Sequence, residues 1–474
     1  MNKALYRLNS QPPSTCGGGT EREDAGTPQI IQKIRASLAF WVKEYIGYDM
    51  MSLRERVYSE TAMKRLVSNP NVRVLGNTTV ERLPIFSFLI YPPVSNSGDV
   101  KHKRLPLHGR PYGHTLLEID NDLSLRIRSM ILEEEFKFIL AAIEFIASYG
   151  HRFLSLYKFN WITGDWTFRK QAIKYQIMKE ELDLTSGIEP LAENAQAKED
   201  IMPAVQAVTV PMAKASAAEE DTKGMATLLS LLRATTLEES AAAAVTAAGD
   251  EEEKVEWLRS QLIGKDVEFD TPFGRRVLTY ADQTASGRSL RYIEDYLINE
   301  VLPFYGNTHT EDSHVGSKTT RLVHKASRYV KRCMGAGASD ALLFCGAGTT
   351  AAIKRLQEVM GVASPSAELR ERLAAQLRTE ERWVVFVGPY EHHSNLLSWR
   401  RSIADVVEIG VDADGLVDVA ALRRALTSPE FANRPMLGSF SACSNVTGVM
   451  TDTRQLARVL HEHGAFACFD FAAR

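Results

Sequence analysis

The chain has 474 residues, enough for about two or three domains, and its hydrophobic (45%) and charged (24%) fractions are ordinary for soluble globular protein. A net charge of −3 gives no reason to expect nucleic acid or an anionic membrane surface as a partner. Five scattered cysteines without a CxxC pair argue against a disulfide framework or a zinc site and favour a reducing compartment, the cytoplasm over secretion. No apolar run approaches the roughly 20 residues of a membrane span, and the first residues lack the apolar core of a signal peptide.

Residues 1–190 have the mixed composition of a folded domain. Apolar residues recur at helical spacing over Pro28–Ile46 and again over Glu133–Tyr149, where acidic residues suit the helix N-terminus. Between these helices, Asn71–Leu75 and Leu83–Ile90 are predicted strands. This part therefore predicts a smaller α+β domain.

Residues 191–256 differ sharply from the rest of the chain. They are rich in alanine and acidic residues, which is typical of a flexible linker with some helix, for example at Met225–Ala234.

Residues 257–474 alternate short apolar runs with amphipathic helical patterns. This alternation predicts an α/β domain with a largely parallel sheet. Its five predicted strands are Ala341–Cys345, Trp383–Val387, Val406–Ile409, Met436–Phe440 and Phe466–Phe469.

Four motifs follow these strands. The run Phe344–Ile353 is a glycine-rich turn before a helix; it either exposes N–H groups to a phosphate or makes a tight turn capped by threonine. His392 either stacks on a flat ligand, binds a metal or lies at the surface. Asn445 bonds a polar ring substituent or forms a turn, and Asp470 pairs with a protonated pyridine nitrogen or caps the next turn.

Taken together, the motifs stand in a specific order. The segments GAGTTAAI, EHHSNLLSW, SNVTGV and HEHGAFACFDFAA, together with TASGRSLRYIEDYL from Thr284, resemble the N-terminal and central parts of the class V aminotransferase and cysteine desulfurase family. The resemblance implies pyridoxal 5'-phosphate (PLP) as cofactor and the PLP fold type I, here with an incomplete large-domain sheet.

The resemblance also implies individual roles. Thr349 and Thr350 hold the phosphate, and His392 stacks on the ring. Asn445 approaches the ring hydroxyl, and Asp470 binds the pyridine nitrogen. Many desulfurases have a glutamine three residues after this aspartate, where this chain has Ala473, so that hydrogen bond is in doubt.

Residues 1–190 resemble the later part of the same family. By this resemblance, Thr27 reaches the phosphate of a neighbouring subunit, which implies a homodimer. In the other half, Asn307 and His309 match a loop on the substrate side. Around Arg110, the loop that carries a carboxylate-binding arginine and, in desulfurases, a nucleophilic cysteine is expected to be absent.

The order of the two parts is reversed, and the family's Schiff-base lysine belongs between Asp470 and Cys16, which lie near the two ends of the sequence. We therefore expect a PLP-dependent transferase-like protein of a family whose substrates are amino acids. Because this sequence lacks the lysine, we expect the protein to be inactive and to bind PLP without a covalent link. The reversed order suggests a chain spanning two tandem gene copies. Two alternatives stay open: a non-catalytic binding or scaffold protein that kept the fold, or a natural circular permutant that uses another lysine. The sequence distinguishes neither aminotransfer from desulfuration nor one amino acid from another.

Overall fold

A computed structural model describes residues 29–91, 124–126, 133–160, 166–169, 251–271 and 274–473. These divide into two compact units. Unit 1 comprises Met1–Tyr48, Thr79–Leu83 and Ser289–Arg474, and unit 2 comprises Asp49–Thr78 and Pro84–Arg288. The predictions for Thr27, Arg110, Met225–Ala234 and most of the linker lie outside the described residues.

The helices and strands are numbered here in chain order. The α-helices are α1 (Ile30–Ile46), α2 (Tyr48–Ser68), α3 (Glu133–Tyr149), α4 (Glu251–Ser260), α5 (Arg291–Tyr296), α6 (His314–Cys333), α7 (Gly348–Val359), α8 (Ala367–Gln376), α9 (His393–Arg400), α10 (Val419–Leu426) and α11 (Thr453–Glu462). The strands are β1 (Val72–Val74), β2 (Ile85–Ile90), β3 (Ser124–Arg126), β4 (Tyr157–Phe159), β5 (Trp166–Phe168), β6 (Glu268–Thr271), β7 (Gly274–Val277), β8 (Val384–Val387), β9 (Asp405–Glu408), β10 (Met436–Ser441) and β11 (Phe466–Asp470). Short 3-10 helices cover Gly150–Leu156, Leu302–Phe304, Thr379–Glu381 and Pro429–Phe431, and a π-helical turn covers Leu297–Val301.

Unit 2 has α+β character. Its largest described sheet is antiparallel, in the order β1-β2-β3, and the hairpins β4-β5 and β6-β7 are separate. Apolar side chains of α2, β2 and α3 form one core, in which Leu66, Phe86 and Leu140 are fully buried. Helix α3 covers its predicted span, Glu133–Tyr149, while the assignment of residues 1–190 to one smaller domain stays a prediction.

Unit 1 is built around a four-stranded parallel sheet in the order β11-β10-β8-β9. All four residues of β8 are buried, as expected for a central strand covered on both faces. Val384 and Phe386 pack with α10 and α11 on one face, and Val385 and Val387 pack with α7 and α9 on the other. Alternate side chains of a strand point to opposite faces, so this pattern gives a three-layer α/β domain and confirms the predicted class.

Two helices of unit 1, α10 and α11, begin where an aspartate side chain satisfies a free N–H group. Asp418 accepts a hydrogen bond from Ala421 N at 2.8 Å at the start of α10, and Asp452 accepts one from Gln455 N at 2.9 Å at the start of α11. Such caps replace the hydrogen bonds that the first helical turn cannot make within the helix.

The predicted strand Ala341–Cys345 is wrong. These residues are described, but they form no strand, and Leu343 is 38% exposed. A strand is stabilised by hydrogen bonds to a neighbouring strand. Among the described residues, the sheet ends at β11, and no strand pairs with this segment. The apolar run has the composition of a strand, but the tertiary structure decides whether a neighbouring strand is there to pair with it.

Unit 1 also contains residues from the first part of the sequence. Helix α1 packs on α6, and the Arg35 guanidinium donates to Glu294 at 2.7 Å. The segment Thr79–Leu83 joins the turn after β10, where Leu83 N donates to Gly448 O at 2.8 Å. Residues that are distant in sequence therefore complete one folded unit.

Candidate functional site

The carboxyl ends of β8, β10 and β11 lie at one edge of the sheet, because these strands are parallel. His392 follows β8, Asn445 follows β10, and Asp470 is the last residue of β11. Ligands of open α/β sheets bind at this edge. The motifs singled out in the sequence therefore come to the edge where a ligand site is expected.

The glycine-rich turn leads directly into α7. Gly348 has a φ of +59°, a conformation that favours glycine, while a Cβ placed there would meet no atom within 4 Å. The backbone conformation, rather than a lack of space, therefore selects glycine. The N-cap residue Ala347 offers no side-chain acceptor to the first N–H groups of α7. These groups and the helix dipole make the turn suitable for an anion.

A cavity of about 280 Å³ lies between the start of α7 and the end of β11. This volume is near the lower end of the roughly 300–1,000 Å³ of small-molecule sites. The lining residues include Thr349 and Asp470, together with Ala352, Ile353, Leu356, Asn395, Cys468, Phe469 and Phe471. Its walls are mainly apolar, with a few polar groups, which is the usual composition of such sites.

A hydroxyl bridge joins the turn to His392. The Thr350 and Ser394 hydroxyl oxygens are 2.6 Å apart, and the Ser394 oxygen is 3.0 Å from His392 Nδ1. His392 Nδ1 also accepts a hydrogen bond from Ser394 N at 3.1 Å, which caps α9. Because Nδ1 accepts, a neutral His392 carries its proton on Nε2.

Asp470 is 9% exposed and lines the cavity. Its Oδ1 accepts a hydrogen bond from Ala472 N at 2.9 Å, so the turn-capping alternative is observed, and the pairing with a ring nitrogen stays a prediction. The two roles are compatible, because a carboxylate accepts several hydrogen bonds.

Glu391 is a half-buried carboxylate that the sequence analysis missed. Its Oε1 accepts from Gly388 N at 3.1 Å and Ser441 N at 2.9 Å. Its Oε2 accepts from the Ser441 hydroxyl at 2.7 Å and from the Asn395 side-chain amide. Burial raises the pKa of Glu391 above its ordinary value, although these hydrogen bonds oppose the shift.

The same network continues through Asn395 to Trp399. The Trp399 indole N–H donates to Asn395 Oδ1 at 2.9 Å and is 3.0 Å from the Ser439 hydroxyl oxygen. Ser439 in turn donates to Asn395 Oδ1 at 2.7 Å. Asn395 and Trp399 are four residues apart on α9, which places them on one face of the helix, and Glu391 lies four residues before Asn395, just ahead of the N-cap. That spacing was the signal available in the sequence.

Other predicted residues lie apart from the cavity. Among the described residues, its lining does not include His392 or Asn445. Asn445 lies in a turn organised by the Ser444 hydroxyl, which accepts from Thr447 N at 3.0 Å. Asn307 and His309 are exposed, and His309 has a φ of +64°.

One lysine from the first part of the sequence lies beside the turn. Lys33 on α1 is 7% exposed, and its Nζ is 5.4 Å from the centroid of the Phe344 ring. It places a cation near the start of the glycine-rich segment. The sequence analysis did not single it out.

Comparison with known proteins finds similarities that include the second half of the chain. Residues 279–474 match the protein family Aminotransferase class-V. A probable cysteine desulfurase from Chlamydia muridarum is 34% identical over 92 residues, which are 19% of this chain and 22% of that protein. Another from Halalkalibacterium halodurans is 21% identical over 199 residues, 41% of this chain and 44% of that protein.

A solved structure of the cysteine desulfurase CsdA from Escherichia coli is 19% identical, with a TM-score of 0.24. The match covers 40% of this chain and 43% of that one. The chain thus spans less than half the length of these relatives.

The parallel sheet, the glycine-rich turn and the cavity beside Asp470 make this an α/β domain with a candidate small-molecule site. Residues 279–474 resemble the class V aminotransferase and cysteine desulfurase-like family of PLP-dependent proteins. No helix in the described part of the chain is long and apolar enough to cross a membrane.

Proposed function

We propose that unit 1 binds PLP in the cavity between α7 and β11, as a class V aminotransferase-like domain. The observation that supports this best is that one cavity is lined by both Thr349, at a helix N-terminus, and Asp470, at a strand end. These groups suit the two polar ends of PLP, an anionic phosphate and a basic ring nitrogen.

Each residue has a distinct task in this proposal. The N–H groups at the start of α7 and the hydroxyls of Thr349 and Thr350 hold the phosphate. The Asp470 carboxylate keeps the ring nitrogen protonated, and His392, which is exposed at the same edge of the sheet outside the cavity lining, packs on the outer face of the ring. When bound, PLP supplies an electron sink for the amino-acid substrate. The mainly apolar cavity walls contact the ring.

We further infer that this 474-residue polypeptide holds PLP without a covalent bond and does not turn over amino acids. Within residues 279–474, the lysines lie on helices and not on strand-end loops: Lys318, Lys325 and Lys331 on α6, and Lys354 on α7. A lysine that forms the link also moves protons, and such general catalysis is worth about 10²–10⁴-fold in rate.

The binding proposal is tested by titrating the protein with PLP and following its absorbance. We expect saturable binding that Asp470→Asn weakens by about ten- to a hundredfold, because a charge-assisted hydrogen bond is lost. Glu371→Gln is the control, since Glu371 is exposed on α8. Equal affinity of the Asp470→Asn and control variants would show that PLP is not held by this carboxylate.

The absence of a covalent link is tested by borohydride reduction and mass spectrometry of the PLP-treated protein. We expect no phosphopyridoxyl-lysine. A modified lysine together with turnover of an amino acid would instead support the permutant alternative. Lys33 is the first position to inspect, because it lies beside Phe344.

A further inference from the structure

Glu391 joins elements that carry different parts of the candidate site. It lies between β8 and α9 and bonds to Gly388 after β8, to Asn395 within α9 and to Ser441 at the end of β10. All of these partners donate, so the arrangement matches an ionised carboxylate, which only accepts.

The position of Glu391 relates two predicted ligand contacts. It directly precedes His392, the N-cap of α9. Its partner Ser441 is the residue that pairs with Asp470 across β10 and β11. The hydrogen bonds from Ser441 N and the Ser441 hydroxyl to Glu391 therefore tie the loop of His392 to the strand position beside Asp470.

We propose that Glu391 is a positioning residue that holds His392 in place relative to Asp470. This proposal rests on the proposed PLP site. Glu391 does not line the cavity among the described residues, so it acts through its neighbours. Shifts of about 1 Å in a supporting group are enough to weaken a site that depends on oriented contacts.

A glutamine at this position reproduces the shape of Glu391 but not its hydrogen bonding. One end of the glutamine amide donates, and it would face either the donating Asn395 amide or the donating N–H groups of Gly388 and Ser441. Glu391→Gln therefore removes part of the network with little change in volume. Ser441→Ala removes only the hydroxyl donor and leaves the Ser441 N–H bond.

The experiment compares Glu391→Gln and Ser441→Ala with Glu371→Gln in the full chain. Two quantities are measured: PLP affinity, and the side-chain ¹H–¹⁵N signals of His392 in ligand-free, ¹⁵N-histidine-labelled protein. The His392 signals are identified by their loss in His392→Gln. We expect Glu391→Gln to shift them and to weaken PLP binding about tenfold, with a smaller effect of Ser441→Ala on both.

The outcomes separate the two proposals. If the His392 signals are as little changed in Glu391→Gln as in the control Glu371→Gln, the positioning role is wrong. This holds even if Glu391→Gln is less stable than the wild type. If the wild type binds no PLP, the proposed cofactor site fails, while the His392 signals still decide the positioning role. Should Glu391→Gln fail to fold, unchanged His392 signals in Ser441→Ala overturn the proposal.

Discussion

The carboxylates at the two ends of the parallel sheet have different kinds of hydrogen-bond partner. At the amino ends of the strands, Asp405 lies between two cations and accepts hydrogen bonds from Arg382 and Arg434. At the carboxyl ends, Glu391 is surrounded by neutral donors from Gly388, Asn395 and Ser441. The first arrangement neutralises the charge, and the second only solvates it.

This difference appears in the pKa values. Burial alone would raise the pKa of Asp405, but hydrogen bonds from Arg382 and Arg434 outweigh it and hold the pKa below its ordinary value. Burial keeps the pKa of Glu391 above its ordinary value despite its hydrogen bonds. The hydrogen bonds to Asp405 thus stabilise the ionised protein, whereas an ionised Glu391 at the carboxyl ends of the strands lowers its stability.

Breaking the ion cluster should have the largest effect on folding. Arg434→Met removes a side chain that is 4% exposed, and with it the bonds to Asp405 and to Arg382 O. We expect the free energy of unfolding to fall by about 2 kcal/mol, because Asp405 loses one of its compensating charges. Urea unfolding at neutral pH measures this loss. An unchanged midpoint would mean that the cluster adds nothing to the sheet.

The pH dependence of the stability difference between the wild type and Glu391→Gln tests the contrast between Glu391 and Asp405. Because the folded-state pKa of Glu391 is raised above 4.5, its favourable contribution is complete below pH 4.5 and is lost as the pH rises through the folded pKa. The stability of the wild type relative to Glu391→Gln should therefore decline with rising pH in that window.

The Asp405 contribution has the opposite sign. Its pKa is lowered from 3.8, so its stabilisation is present above that value and is lost as the pH falls through the folded pKa. Unfolding curves of the wild type and Glu391→Gln across pH 4 to 8, about the range where folded proteins are usually most stable, isolate the glutamate. A constant difference across this range would contradict the raised pKa.

An exposed ion pair should show the smallest effect. Arg423 and Glu462 are 2.8 Å apart, but their side chains are 47% and 54% exposed. Arg423→Ala should change the free energy of unfolding by no more than about 0.5 kcal/mol, because solvent screens such pairs. A loss as large as that of Arg434→Met would show that burial is not what distinguishes the two contacts.

Local pattern explains the elements that were predicted correctly. Periodic apolar residues placed α1 and α3, and β-branched and aromatic runs placed β2 and β8. The same rule was wrong for Ala341–Cys345, because an apolar run does not specify a partner strand. Strand pairing joins residues that are distant in sequence, so a five-residue segment does not predict it.

The sequence by itself determined the succession of β8 to β11 along the chain, the glycine-rich turn before α7 and the placement of Asp470 at the end of a strand. These features depend on neighbours in the chain. Only the tertiary structure decided that Thr349 and Asp470 share a cavity and that Ser441 supports Glu391. It also decided that α1 completes unit 1. These contacts join residues far apart in sequence, and the packing of the sheet and its helices, rather than local propensity, brings them together.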